Sequence, residues 1–247
     1  MQYLRNIKSW LKTMGYNGTK SKLVVGQVVD LPDGKAEVVA YNGVMSVTLK
    51  FLDTGYETTT QSGHILRKTV RDRMKPLLFG KGFMGQGPYV GSNENKAYTL
   101  WMGMFNRCYG GHNKPYIGCE IDPQWYNFQE FAEWCQWQKG FKEDKWAIDK
   151  DIILKGNKVY GPEFCAFVPR EINNAVVNTE KAKGYTKTKN GNKFMSSCGK
   201  VYLGTFDTKE EASAAYFIEK RKQMNKLSLK WKGLVEERLL SSLEIYY

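Results

Sequence analysis

Histidine is almost missing from this chain: His64 and His112 are the only two in 247 residues. Neither has a partner at metal-ligand spacing, so a histidine-built metal centre has no footing. His112 lies in the turn-rich run Gly110-Gly111-His112-Asn113-Lys114-Pro115. It reads as a solvated loop residue, or as one that folds back toward Asp149. Cysteine is scarce too: Cys108, Cys119, Cys135, Cys165 and Cys198 are odd in number, widely spread and without a C-x-x-C pair. That argues against a disulfide framework or a zinc ribbon. Cys108, Cys119 and Cys135 could meet in space, but buried reduced thiols are the simpler reading, and they fit a cytosolic compartment. Long apolar runs are absent, so no membrane span and no membrane partner are expected. The opening 15 residues lack the apolar core of a secretory signal. Instead Tyr3, Leu4, Ile7, Leu11 and Met14 recur at helical spacing and predict an amphipathic helix. There is no low-complexity tract and no internal repeat.

Positive charge is what the chain has in excess, with 37 basic against 25 acidic side chains and a net charge of +12. The excess is uneven. Residues 1–77 carry 12 basic and 6 acidic groups, residues 78–177 carry 11 of each, and residues 178–232 carry 13 and 5. The last segment, 233–247, is acidic, with one basic and three acidic groups. A polyanion would be drawn to the flanks and not to the middle. The plain alternative is that the charge serves solubility.

Residues 23–29, 36–41 and 44–51 read as strands, separated by the turn signals Pro32-Asp33-Gly34 and Asn42-Gly43. Asp53-Thr54-Gly55-Tyr56 makes a further turn before Glu57–Gln61. Four or five short strands over fifty residues suggest a small bent β-barrel. In pattern it resembles the Tudor-like and KOW-like barrels, which bind nucleic acid or proteins; DNA or a host protein is the partner this would allow. Arg67, Lys68, Arg71 and Arg73 follow, as phosphate contacts or as a solvated linker. GKGFMGQGPYVG then holds five glycines without the strand–helix setting of a phosphate loop, and predicts a flexible linker within residues 78–95.

Residues 96–137 are helical and aromatic. Trp101, Met104, Phe105 and Cys108 share one face, and Trp125, Phe128, Phe131, Ala132 and Cys135 share another, with Trp134 and Trp137 beside it. Core packing is the expected role. Next comes AIDKDIILKGNKVYGPEFCAFVPREINN, residues 147–174. Asp149 and Asp151 alternate with Ile148, Ile152 and Ile153 as on a half-buried strand, placing both carboxylates on one face. They would jointly hold a hard cation, or stay solvated beside Lys150 and Lys155. Gly156-Asn157 is a turn signal, Phe164–Val168 a second strand closed by Pro169, and Glu171–Val177 a helix.

This strand–turn–strand–helix outline resembles the HNH homing-type endonuclease unit of many phage proteins. There an Asp-His pair ends the first strand, an Asn follows in the loop, and the helix supplies a closing His or Asn. The matching positions are Asp149-Lys150, Asn157, and Asn173 or Asn174. The resemblance implies that Asp149 and the helix residue Asn173 hold a magnesium or manganese ion. The residue after the Asp is the family's general base, and here it is Lys150. A lysine, with a reference pKa of about 10.4, is protonated at neutral pH and cannot take a proton. The implied protein is therefore an HNH scaffold without its base; the alternative is a live metal-dependent endonuclease using Asp149, Asn157 and Asn173. The preceding Tyr98-x-x-Trp101 and Arg107-Cys108-Tyr109 also resemble these phage proteins and make Arg107 a DNA-contact candidate on that ground.

The segment 184–216 predicts three strands and a helix: Gly184–Lys189, the turn Asn190-Gly191, Lys193–Cys198, Lys200–Phe206, then a helix capped by Asp207 or Thr208. Gly184, Lys193-Phe194, Tyr202-Leu203-Gly204-Thr205-Phe206-Asp207-Thr208, Glu210-Glu211-Ala212 and Ala215-Tyr216 resemble the plant ethylene-response-factor (APETALA-type) DNA-binding domain, also found in phage HNH proteins. The resemblance implies a sheet face on double-stranded DNA, with Lys183, Lys187, Lys189, Lys193, Lys200 and Tyr202 as contacts. Lysines and threonines stand where that family has arginines, which implies phosphate-dependent binding with modest base discrimination. A basic sheet that meets no DNA is the structural alternative. Leu234, Leu239, Leu240 and Leu243 end the chain as a short amphipathic helix for docking or dimerisation.

The expected fold class is α+β. A small N-terminal β-barrel (1–77), the linker (78–95), an HNH-like ββα domain (96–177), a three-stranded sheet on one helix (178–232) and a tail helix (233–247) follow in order.

Overall fold

The computed structural model describes residues 23–112, 114–177 and 182–245. The amphipathic helix expected at the start lies outside them. The chain is α+β, with six α-helices and several small sheets among the described residues. It divides into two compact units, one running to Pro76 with Phe83–Gln86, the other comprising Leu77–Gly82 and the chain from Gly87 on.

In the first unit β1 (Val28–Leu31), β2 (Gly34–Tyr41), β3 (Val47–Phe51) and β4 (Glu57–Thr60) form an antiparallel meander in sequence order. Pro32-Asp33 makes the first turn, with Leu31 paired to Gly34. Ala36, Val38, Val47, Leu49 and Phe51 are buried, and α1 (Ser62–Leu66) lays Ile65 against them. The expected closed barrel is not formed: the sheet is open, with β1 and β4 as its edges. Each edge strand has only four residues, half-exposed along its length, and the chain turns into α1 after β4. Closing a sheet of four such strands demands more pairing length than they provide. The strand read over residues 23–29 also begins later, at Val28, and leaves Val24 and Val25 more than half exposed.

The basic exit is partly internal wiring. Buried Asp33 accepts from Arg71 Nε at 2.7 Å and from the Asp72 N–H at 2.9 Å, while Lys75 Nζ donates to its carbonyl. Burial works against the Asp33 carboxylate, but the Arg71 hydrogen bond and the Asp72 N–H outweigh it and hold its pKa below the usual value. Arg71 is a strut for this corner.

The second unit is built on aromatic packing. Asn95 caps α2 (Lys96–Tyr109) by accepting from Ala97 and Tyr98, and Asn127 caps α3 (Phe128–Trp137). Between them β5 is Glu120–Ile121. Trp101, Phe105, Trp125, Phe128 and Phe131 are buried, with Trp101 Nε1 donating to the Trp125 carbonyl at 2.7 Å. Trp134 stacks on Phe167 at 5.8 Å between ring centres, joining α3 to the strands that follow. Trp137, expected in this packing, is 81% exposed, because α3 ends there with its buried stripe on Phe131, Ala132 and Cys135.

Glycines of the expected linker serve close approach. A Cβ on Gly82 would sit 2.9 Å from Phe105 and 3.0 Å from Trp101, and one on Gly87 only 2.4 Å from Gln129 Oε1. Gln129 also holds Tyr89 by two bonds, accepting its N–H at 2.9 Å and donating to its carbonyl at 3.0 Å.

The strands β6 (Trp146–Asp149), β7 (Val159–Tyr160) and β8 (Ala166–Pro169) lead into α4 (Arg170–Val177). β6 and β8 are antiparallel, with Ile148 opposite Phe167 and Asp149 opposite Ala166, while β7 runs parallel to β5. A three-stranded antiparallel sheet follows, β9 (Thr186–Lys187), β10 (Phe194–Cys198) and β11 (Val201–Phe206), backed by the long α5 (Lys209–Trp231). Thr208 and Glu211 cap α5 reciprocally, side chain to backbone in both directions.

α6 (Glu237–Ile245) docks within the same chain. Leu239, Leu240 and Leu243 share one core with Ile172 and Val176 of α4, Val168 of β8, and Met224 and Leu227 of α5. Each fully buried leucine contributes roughly 1.5–3 kcal/mol, which explains why the apolar stripe turns inward. Leu234 precedes the helix and stays 60% exposed. Arg238 secures the dock by donating to the carbonyls of Glu163 at 2.8 Å and Cys165 at 2.7 Å. Lys220 of α5 reaches the Ala175 carbonyl at 2.9 Å, and Lys230 reaches Glu171 at 2.6 Å, so α5 is tied to both ends of α4. Among the described residues no helix is long and apolar enough to cross a membrane.

Candidate functional site

Strand β6 stops at Asp149 for a local reason. Its Oδ1 accepts the backbone N–H groups of Asp151 at 2.9 Å and Ile152 at 2.8 Å, drawing the chain into a turn. The expected alternation of Asp149 and Asp151 along one strand face is therefore absent. Asp151 lies beyond the strand and pairs with Lys150 Nζ.

Lys150 is itself buried. Its Nζ donates to Asp151 and, at 3.1 Å, to the Asn157 carbonyl. Burial opposes its charge, but the hydrogen bond and charge of Asp151 prevail and keep its pKa above the usual lysine value. A base it is not. Asp149 shifts the same way from the other side: burial raises its pKa, against the two backbone N–H bonds that favour the carboxylate.

Asn157 is spent on the loop. Its Nδ2 donates to the carbonyls of Lys150 at 2.8 Å and Val159 at 2.7 Å, while its Oδ1 accepts the Val159 N–H at 3.2 Å. It does not line the adjoining cavity. Asn173 of α4 does, together with Asp149, whereas Asn174 is exposed. The cavity measures about 860 Å³, and its polar wall comprises Arg107, Tyr116, Asp149, Lys150, Asp151, Tyr160 and Asn173.

His112 is exposed and not part of that wall. Cys108 lies near Cys119, and burial first of all raises its thiol to about 11. Cys135 is instead beside Cys165, both fully buried, so the trio read from the sequence is not assembled. All five thiols are free. Among the described residues no group of three or more His, Cys, Asp or Glu is placed to hold a metal ion. Asp149 and Asn173 are two oxygen donors at one cavity, the kind of partial set magnesium or manganese uses with water and a substrate phosphate. Tyr116 and Tyr160 escaped the sequence reading, since single aromatics in elements of two or three residues carry no period.

The second candidate surface is the C-terminal sheet. Gly184 opens it at φ +76°, where a Cβ would meet Tyr216 Cβ at 2.9 Å and Ser213 Cα at 3.1 Å. Only glycine lets the chain pass so close to α5. Ser196 Oγ donates to the Gly184 carbonyl at 2.8 Å, and Ser196 and Cys198 turn toward the helix. The alternate residues Met195 and Ser197 are exposed. Register then places Thr186, Met195 and Thr205 across the outer face, with Ser197 beside Tyr202. Tyr202 is 62% exposed and its hydroxyl hydrogen-bonds Thr205 Oγ1 at 2.8 Å.

The lysines ring this face and do not pave it. Lys183, Lys189 and Lys200 sit in turns and strand approaches, all exposed. Lys187 is exposed on the edge strand but opposite Phe194, so the pleat puts it on the helix side of the rim. Lys193 pairs with Asp207 at 3.0 Å. A scan of family models and searches of curated proteins and of solved structures find no match to this chain.

Proposed function

We propose that the chain is a phage-type DNA-binding protein that grips duplex DNA through the β9–β11 sheet, in a regulatory or host-interfering role. One observation carries the reading: an exposed face of hydroxyl and apolar side chains is ringed by Lys183, Lys187, Lys189 and Lys200, none of which has an ion-pair partner among the described residues. Rim lysines meet phosphates, while Tyr202, Met195 and the threonines meet groove surface with little base-specific geometry. The pocket around Asp149 is then a scaffold whose proton acceptor has become a buried, ion-paired lysine. Duplex binding measured by fluorescence anisotropy across a salt series tests this. Lys187→Ala combined with Lys200→Ala should weaken affinity and flatten the salt slope by roughly one to two units. An unchanged slope removes the sheet from the interface.

A second reading, an active magnesium- or manganese-dependent endonuclease, is favoured by Asp149 and Asn173 sharing one cavity. Plasmid nicking in either metal that disappears in Asp149→Ala would establish it over the scaffold reading.

A further inference from the structure

The cavity beside Asp149 holds the Arg107 side chain, a cation that no carboxylate among the described residues neutralises. Arg107, in the last turn of α2, places its guanidinium carbon 5.7 Å from the centre of the Tyr116 ring and 5.5 Å from that of Tyr160. Its Nε is buried and has no hydrogen-bond partner. Among the described residues no carboxylate forms an ion pair with it. The two acids of the cavity are engaged elsewhere, Asp149 with two backbone N–H groups and Asp151 with Lys150. Tyr160 supplies no counter-charge, because burial holds its hydroxyl neutral against the pull of Arg107.

A half-buried guanidinium whose Nε is cut off from water is costly to keep without an anion. The two rings beside it offset part of that cost; a side-chain hydrogen bond to Tyr160 takes up part of the N–H edge, and the Nε–H side of that edge is left for an acceptor. That edge matches the paired oxygens of a phosphate, which a guanidinium binds two-pronged where a lysine offers only a point charge. The space of about 860 Å³ takes far more than a single ion.

We infer that Arg107 holds a phosphate group in this cavity, and that the group is a phosphodiester of a bound nucleic-acid strand. The inference rests on the nucleic-acid reading above, but on a different surface of the same unit. Arg107 is a binding residue, and it orients a strand beside Asp149 whether or not the strand is cut.

The test is NMR of the full chain labelled with nitrogen-15, following the Arg107 Nε–Hε signal during titration with inorganic phosphate, thymidine monophosphate and a short thymidine oligonucleotide. The oligonucleotide should move that signal. Its affinity should fall roughly ten- to a hundred-fold in Arg107→Gln, the scale of losing charge-assisted hydrogen bonds. Arg107→Lys, which keeps the charge and guards against a folding defect, should recover only part of it. The signal should move equally in the Lys187→Ala, Lys200→Ala variant, so failure of the sheet as a duplex interface reads out separately, in the salt slope. A signal unmoved at saturating oligonucleotide, or equal affinity in Arg107→Gln, overturns the inference. A response to the monophosphate with none to the oligonucleotide overturns the nucleic-acid source.

Discussion

Lys150 and Asn157 are bonded to each other twice, in opposite senses. Asn157 Nδ2 donates to the Lys150 carbonyl at 2.8 Å, and Lys150 Nζ donates to the Asn157 carbonyl at 3.1 Å. The pair closes the loop between β6 and β7 and locks the lysine in the interior. On the HNH-like reading proposed above, the position that would carry the base belongs to the loop's framework.

Asn157→Ala should therefore act on stability. Two carbonyls lose their donor and the Val159 N–H loses its acceptor, a cost of about 1–3 kcal/mol. Urea denaturation reads the loss, while duplex affinity at fixed salt should stay at the wild-type value. A parallel fall in affinity would place this loop in the DNA interface.

Asp149→Asn should cost nothing in stability at neutral pH, because asparagine keeps the oxygen that accepts from Asp151 and Ile152 while shedding a half-buried charge. The sign follows from the raised pKa of Asp149. Its contribution is fully present below the unfolded value of about 3.9 and is lost as pH rises through the folded value. Denaturation of wild type and variant at steps from pH 4 to 8 should show the difference shift in the variant's favour as pH rises. A variant less stable than wild type at pH 7 would mean that the carboxylate charge itself supports the fold.

Arg71→Ala should leave the salt slope of DNA binding untouched and lower the acid resistance of the first unit. The Asp33 pKa is lowered in the folded chain, so its stabilisation is present above about 3.9 and is lost as pH falls through the folded value. Removing the guanidinium shrinks that window. The Arg71 side chain is largely exposed, so the loss at pH 7 should stay within about 1 kcal/mol. A slope reduced by one unit would instead make Arg71 a phosphate contact.

Local signals in the sequence matched local structure where neighbours a few residues apart set the outcome. Asn190-Gly191 lies in the turn between β9 and β10, with Gly191 at φ +70° and its N–H on the Thr188 carbonyl at 2.9 Å. Thr208, one of two caps expected, is the one used. The strand holding Asp149 was legible from Ile148, but its end was not. The Asp149 side chain takes the next N–H groups, and alternation of apolar and acidic residues does not register that competition.

What the residue order determined by itself is the α+β content, the turns and caps, the uneven charge and the aromatic stripes, because each depends on the identity of residues close in the chain. Tertiary structure alone decided that the first sheet stays open, that Trp134 meets Phe167 while Trp137 faces water, and that the final helix folds onto α4 and α5. It also decided that Arg107 lies between Tyr116 and Tyr160 beside Asp149. These outcomes join residues tens of positions apart. Burial and desolvation at such a meeting point depend on every element packed there at once, which no spacing along the chain encodes.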